Sequence, residues 1–262
     1  MLKFVAAAAV CMVISACGGY LQDEDALPDC AVGGVVRDEA AAPLEGVAVA
    51  VQIGDSRYDA TTDAAGAYQF VMPRNFSYPS RFAGTATKQG YLPQAVLFSR
   101  SGTACPAAGS QTLQLNALRE SDIVFPSGAG VTHLGDDVFT GDINSQLQVP
   151  STGMQWTDGF TYTDAMKTQY SRLCVSFLAR GVQAIRQNTI AVSRGSETGA
   201  TEMALMAETD PAGDYTQASY CFSLAPYAGG ERVSVTIAAG NNGGLMDYDD
   251  FEFLSAVARM AP

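Results

Sequence analysis

The chain has 262 residues, with 27 Asp or Glu against 15 Lys or Arg, and its net charge is −12. This excess of acid opposes binding to nucleic acid, which needs a basic surface to neutralise phosphates. The sequence holds one His and three Lys, so His-rich metal sites, His-based proton relays and phosphate-loop chemistry lack their residues. A hydrophobic content of 47% is normal for folded chains, and the length predicts two domains.

The first sixteen residues predict a secretory signal. Lys3 supplies one positive charge, residues 4–14 form an unbroken apolar run, and Ser15 and Ala16 are small. An apolar run of this length is too short to span a bilayer, and such a segment is removed after export. We therefore expect an exported protein whose mature chain begins after residue 16.

Residues 14–17, Ile-Ser-Ala-Cys, resemble the bacterial lipoprotein box. The resemblance implies acylation of Cys17 and a lipid anchor, and several acyl chains hold a protein on a membrane better than one. Gly18, in place of a retention-type Asp, implies the outer membrane, with the protein facing the periplasm or the cell surface. An ordinary signal peptide with an incidental Cys is the alternative. Residues 17–29 are small and acidic beyond the Cys and predict a tether after the lipidated N-terminus.

Loss of the signal and acylation of Cys17 leave four cysteines, Cys30, Cys105, Cys174 and Cys221. An even number in an exported chain predicts two disulfides, and three pairings are possible. The pairs Cys30–Cys105 and Cys174–Cys221 keep each bridge within one predicted domain. Cys174 and Cys221 also stand on the polar faces of two strands with matching alternation, which favours their bridge. Zinc is the rival interpretation, but the spacings lack a CxxC pair and a nearby His.

Short strands are predicted in the first module, residues 30–118. They lie at residues 31–37, 47–53 and 68–72, and turns rich in Gly, Pro and Asp separate them. No stretch of helical length shows a convincing 3.6-residue period here. Short strands with such turns predict an antiparallel sandwich.

Three segments of this module, residues 34–38, 43–49 and 61–70, resemble the carboxypeptidase regulatory-like, transthyretin-related family. The resemblance continues through Lys88-Gln89-Gly90-Tyr91 to a final strand near residues 113–115. It implies a seven-stranded, prealbumin-like β-sandwich that is noncatalytic and that stabilises or spaces other modules. We therefore assign no site residue to the first module.

The second module, residues 119–262, carries 17 acidic and 8 basic residues, a net charge of −9. Its apolar residues alternate with a period of two at 173–177, 220–224, 233–237 and 251–253, and Gly-rich turns lie between. This pattern predicts a second all-β sandwich, a jelly roll.

Two acidic segments, residues 133–146 and 247–253, resemble the opening and closing strands of galactose-binding-like and carbohydrate-binding-module-like jelly rolls. The resemblance implies a structural Ca²⁺ between neighbouring strands, and Ca²⁺ takes about six to eight oxygen ligands. The candidate ligands are Asp136, Asp137, Asp247, Asp249, Asp250 and Glu252. The alternative is a solvated acidic turn followed by a strand whose Asp residues cap neighbouring backbone.

An aromatic cluster, Trp156, Phe160 and Tyr162, offers three rings within seven residues. Glycan recognition rests on an aromatic ring against the apolar face of a sugar, so Trp156 and Tyr162 are the candidate ligand-binding residues. Filling of the sandwich core is the alternative. No GxSxG elbow accompanies His133, which is expected to be a loop histidine without a catalytic duty.

These observations predict a noncatalytic surface lipoprotein with a spacer module and a ligand-binding module, and we expect its ligand to be a glycan. The alternative is a structural or assembly lipoprotein of the outer envelope that contacts other proteins. A groove with an exposed ring at Trp156 or Tyr162 would favour the first function. Buried aromatics and a flat exposed apolar face would favour the second.

Overall fold

The computed structural model describes residues 29–73, 79–101, 104–105, 112–138, 147–195, 201–209, 213–241 and 247–262. The signal, Cys17 and the tether up to residue 28 lie outside the described residues, so their predicted roles stay predictions. None of the helices in the described part has the length and apolarity needed to cross a membrane.

The first module consists of seven strands. They are β1 (Cys30–Arg37), β2 (Ala48–Ile53), β3 (Ser56–Thr61), β4 (Ala67–Met72), β5 (Arg81–Thr87), β6 (Gln94–Ser99) and β7 (Thr112–Gln114). One sheet has the order β4-β1-β7 and the other β3-β2-β5-β6. All of their pairings are antiparallel except β1 with β7. The predicted all-β fold is confirmed.

The second module has nine strands in its described residues. They are β8 (Asp122–Val124), β9 (Thr132–Leu134), β10 (Gln155–Tyr162), β11 (Arg172–Arg180), β12 (Thr189–Arg194), β13 (Glu202–Leu205), β14 (Thr216–Ser223), β15 (Glu231–Ala238) and β16 (Phe251–Ala261). One sheet has the order β10-β15-β12-β13, and the other has the order β14-β11-β16-β8 with β9 also paired to β16. A short helix, α1 (Asp164–Gln169), follows β10 and is capped by the Thr163 hydroxyl.

Each module has its own apolar core between its two sheets. The alternation seen in the sequence sets the inward faces: Leu173, Val175 and Phe177 of β11 are at most 1% exposed. Strand β16 contains a β-bulge near Ser255, where its register with β11 shifts. The φ of Ser255 is 55°. The extra residue lets Phe253 and Ala256, three positions apart, both face the core.

Both predicted disulfides are present. Cys30 is bonded to Cys105 in the first module, and Cys174 is bonded to Cys221 in the second. Cys174 stands directly opposite Cys221 on β11 and β14, on the outer face of their sheet. The pairing by strand face is therefore confirmed.

The modules meet at a buried polar cluster, here called the junction clamp, formed by Gln148, Arg180, Tyr215 and Glu252. Nη2 of Arg180 lies 2.6 Å from Glu252 Oε2, and the two side chains are 2% and 0% exposed. The Tyr215 hydroxyl donates to the same oxygen at 3.0 Å, and the Val149 N–H donates to Oε1 at 2.9 Å. The buried charges are thus both paired and hydrogen-bonded, as a stable buried ion pair requires.

Hydrogen bonds from the clamp reach the first module. The Gln148 side chain accepts from the Ala83 N–H and donates to the Ala83 carbonyl, both at 2.7 Å. The Gly54 N–H donates to the Gln148 carbonyl at 2.7 Å, and Arg180 Nη1 donates to the Arg81 carbonyl at 2.7 Å. A small apolar cluster around Ala83 and its neighbours completes the junction. The clamp therefore satisfies main-chain groups of the first module with two side chains and one main-chain carbonyl of the second.

Removal of one clamp charge is expected to destabilise the protein. Arg180→Met leaves the buried Glu252 carboxylate without its partner, and we expect the free energy of unfolding to fall by about 3–5 kcal/mol. Urea unfolding of the mature chain measures it. Arg172→Met is the matched control, because Arg172 is exposed on the same strand and should change stability by no more than about 0.5 kcal/mol. Equal stability of the Arg180 variant and the wild type would contradict the prediction.

Candidate functional site

The structure brings the two acidic segments of the sequence together. Strand β9 pairs with the start of β16. The Asp137 N–H donates to Asp250 Oδ1 at 3.0 Å, and Asp136 Oδ2 accepts from the Tyr248 N–H at 3.1 Å. Residues 139–146 of the first segment lie outside the described residues.

The acidic side chains after residue 246 are bound by other side chains of the protein. Three have a basic partner: Asp247 with Arg186 at 2.7 Å, Asp250 with His133 at 2.8 Å, and Glu252 with Arg180 at 2.6 Å. The fourth, Asp249, accepts hydrogen bonds from the Asn188 amide and the Gln183 N–H. Each of these carboxylates therefore has its own partner within the protein.

His133 lies in β9 and is fully buried, which corrects the expectation of a loop histidine. Its Nδ1 is 2.7 Å from the Val149 carbonyl oxygen, which only accepts, so Nδ1 carries a hydrogen. Its Nε2 is 2.8 Å from Asp250 Oδ1, so a second proton is shared between the ring and this carboxyl. Burial raises the pKa of Asp250, while hydrogen bonds from Asp137 and His133 act against that rise. The ring is 0% exposed and cannot reach a substrate.

The described residues bring together part of the predicted Ca²⁺ site. Among them, the one group of three candidate ligand atoms within 4.8 Å of one another belongs to His133, Asp137 and Asp250. Calcium takes about six to eight oxygens, and a ring nitrogen suits transition metals instead. The Ca²⁺ site therefore stays a prediction.

Asp249 is a buried carboxyl with only one oxygen in hydrogen bonds. Its Oδ2 accepts from the Gln183 N–H at 2.8 Å and from Asn188, whereas Oδ1 has no hydrogen-bond partner among the described residues. Burial raises the pKa of Asp249 to about 7. The two hydrogen bonds and the positive charge of Arg186 lower the pKa and offset only part of that rise. An unfolded Asp titrates near about 3.9. Its protonated form therefore adds stability that is present at low pH and is lost as the pH rises through about 7.

Substitution of Asp249 tests this linkage. Asp249→Asn keeps an oxygen that accepts from Gln183 and Asn188 and removes the charge. We expect the melting temperature of the variant, relative to wild type, to increase from about pH 5 to about pH 8, since only the wild type must then ionise a buried acid. The exposed Asp59→Asn serves as control, and all melts contain chelator. A difference that stays constant over this pH range would contradict the prediction.

The predicted ligand-binding rings belong to the core, so that prediction does not agree with the structure. Trp156 is 8% exposed and Tyr162 is 1% exposed. The Trp156 ring lies edge-on to Phe125 and Phe253, and its Nε1 donates to the Ser127 hydroxyl at 3.0 Å. Alternation places both rings on the inward face of β10, where they fill the sandwich and cannot stack on a sugar.

An open cleft of about 480 Å³ lies between the modules, here called the junction cleft. The first module contributes Gly46, Thr87, Lys88, Gln89, Tyr91 and Pro93, and the second contributes Val124, Pro126 and Ala129. A smaller cavity of about 230 Å³ shares Thr87 with it and continues along the junction. The lining combines an aromatic ring and two prolines with hydroxyl, amide and ammonium groups, which is typical of small-molecule sites.

A tight turn positions the polar side of the cleft. The Tyr91 N–H donates to the Lys88 carbonyl at 3.1 Å, and Gly90 has a φ of +84°, as the third position of a type II turn requires. The Leu118 N–H donates to the Gly90 carbonyl at 2.9 Å. Lys88 and Tyr91 belong to the segment that carries the family resemblance, but the sequence does not mark them as site residues. The cleft forms only when the second module supplies its opposite wall, which a local sequence pattern cannot show.

No protein-family model matches the chain, and no curated protein matches it either. Several solved structures have low-level similarity to the chain, and three of them illustrate its extent. A DUF3823 family protein from Bacteroides ovatus is 8% identical with a TM-score of 0.25, over 85% of this chain and 95% of that chain. The major pilin SpaD from Corynebacterium diphtheriae is 10% identical with a TM-score of 0.28, over 91% and 65%. SGBP-B from a xyloglucan utilization locus of Bacteroides uniformis is 12% identical with a TM-score of 0.26, over 81% and 65%.

The chain thus spans slightly less than two thirds of the pilin and of SGBP-B. At these TM-scores the backbone paths differ too much for a shared fold to follow. The function of the chain has to be inferred from its own residues.

Proposed function

We propose that the chain is a noncatalytic lipoprotein of the outer envelope that binds a glycan in the junction cleft. The first module then forms part of the binding site and is more than a spacer. The observation that carries the proposal is the mixed lining of this cleft. A sugar ring has an apolar face and a rim of hydroxyls. The Tyr91 ring and the neighbouring prolines can pack against the apolar face. Gln89 and Thr87 can form hydrogen bonds with the hydroxyls.

The lining of the cleft supports binding and not hydrolysis. Glycosidases use two carboxyl groups on either side of the bond that they cleave. Among the nine described residues that line the junction cleft, none is acidic and none is a His or Cys. The one histidine of the chain is buried against Asp250.

A glycan array probed with the mature chain tests the proposal. Tyr91→Ala is expected to weaken binding of the glycan found by about tenfold, because a lost ring contact of about 1.4 kcal/mol corresponds to that factor. Gln89→Ala is expected to weaken it several-fold through a lost hydrogen bond of about 1 kcal/mol. Gln155→Ala is the matched control, since Gln155 is also exposed and does not line the cleft. Absence of any glycan ligand, or variants that bind like the wild type, would overturn the proposal.

The membrane anchor is tested separately. We expect mass spectrometry of protein extracted from membranes to find Cys17 acylated at the mature N-terminus, on the basis of the lipoprotein box. Cys17→Ala should move the protein from the membrane fraction to the soluble fraction, because the acyl chains supply the membrane affinity. An unmodified mature start at another residue would contradict the prediction.

Protein–protein contact in the envelope is a second candidate function, and one observation favours it. Met203 and Leu205 are 59% and 61% exposed, and both lie on β13, the edge strand of its sheet. Ile185, before β12, is 70% exposed. An edge strand with apolar side chains can add a strand from a partner. Met203→Lys should abolish such a contact and leave glycan binding unchanged, so the two functions are separable.

A further inference from the structure

We infer that the glycan bound in the junction cleft is acidic and that its carboxylate pairs with Lys88. This inference rests on the proposed function and names the chemical class of the ligand. Three features of the cleft support an acidic ligand: the charge of its lining, the position of the Lys88 ammonium, and the lack of a carboxylate partner for this ammonium among the described residues.

The charge of the cleft is opposite to that of the chain. The chain carries −12 and the second module carries −9, whereas residues 30–118 hold six acidic and six basic residues. Lys88 is the one charged residue among the nine described lining residues. Among the described residues, the second module contributes Val124, Pro126 and Ala129 to this lining. An anion in the cleft therefore meets a local positive charge and no acidic residue of the described lining.

The Lys88 ammonium is held at the wall of the cleft. Its Nζ donates to the Glu45 carbonyl at 2.6 Å, and a Cβ built on Gly46 would lie 3.4 Å from Nζ. Gly46 itself lines the cleft, so the charged end of the side chain is at the lining. The carbonyl uses one of the three N–H donors of the ammonium.

Lys88 has no acidic partner in the described part of the chain. Seven arginines of that part form ion pairs with Asp or Glu, and Lys88 forms none. A partly buried cation beside apolar side chains interacts with an anion more strongly than it would in bulk water. A carboxylate from a ligand would accept hydrogen bonds from the remaining N–H donors of the Lys88 ammonium.

A sugar acid matches both parts of the cleft. Its pyranose ring offers an apolar face to Tyr91 and the prolines. Its carboxylate can form the ion pair that Lys88 does not make with any described residue. A neutral glycan would leave the ammonium bonded to water or hydroxyls. The lining therefore favours an acidic glycan over a neutral one of the same size.

Isothermal titration calorimetry of the mature chain tests the inference with a galacturonic acid trimer and the matched neutral galactose trimer. We expect the acidic trimer to bind at least about tenfold more tightly, which corresponds to about 1.4 kcal/mol. Lys88→Met should remove this preference and Lys88→Arg should retain it. Lys167→Met on α1 is the control and should bind like the wild type. A thermal melt of each variant checks that it is folded.

The outcomes separate this inference from the proposed function. Binding of neither trimer, equal or tighter binding of the neutral trimer, or a Lys88→Met variant that still binds the acidic trimer like the wild type overturns the acidic ligand. A poly-glutamate peptide that binds as tightly as the acidic trimer overturns it as well. The glycan proposal survives any of these results if the array yields a glycan that depends on Tyr91, and it fails if the array yields none.

Discussion

Arg180 and Glu252 lie buried between the two modules, and burial of two charges costs several kcal/mol unless each finds its partners. Those partners come from both sides of the junction. The Arg81 carbonyl belongs to the first module, whereas the Tyr215 hydroxyl and the Val149 N–H belong to the second. Burial and the Glu252 carboxylate raise the pKa of Tyr215 well above its usual value, so the hydroxyl stays a donor. Apolar contacts tolerate small shifts of one module against the other, whereas the directional hydrogen bonds of the clamp are all formed in only one relative orientation of the modules.

The junction cleft exists because of that placement. Tyr91 and Lys88 stand on one module and Pro126 on the other, so a change in the angle between the modules would open the cleft or close it. The shape of the cleft therefore depends on the clamp, although no clamp residue lines the cleft. A glycan that contacts both walls would in turn stabilise the junction, because it binds only the assembled arrangement.

Local sequence patterns predicted the parts of the structure that depend on neighbouring residues. Period-two alternation predicted the inward faces of the strands and the Cys174–Cys221 bridge, since both follow from the pleat. The same pattern could not predict the burial of Arg180, because its outward face becomes buried only when the other module covers it. Trp156 was assigned to a ligand on residue type, whereas alternation placed it in the core. The acidic segments were correctly predicted to be neighbours, but their partners, such as Arg186 and Arg180, come from segments that are distant in the sequence.

The central claim is that the clamp holds the two modules in one fixed orientation that forms the cleft. Residual dipolar couplings of backbone amides in the mature chain test it most directly, because they report the orientation of each module in a common frame. We expect a single alignment tensor to fit the described amides of both modules with the orientation seen here. Two tensors of different magnitude, one for residues 30–118 and one for residues 119–262, would show that the modules move independently and would contradict the account.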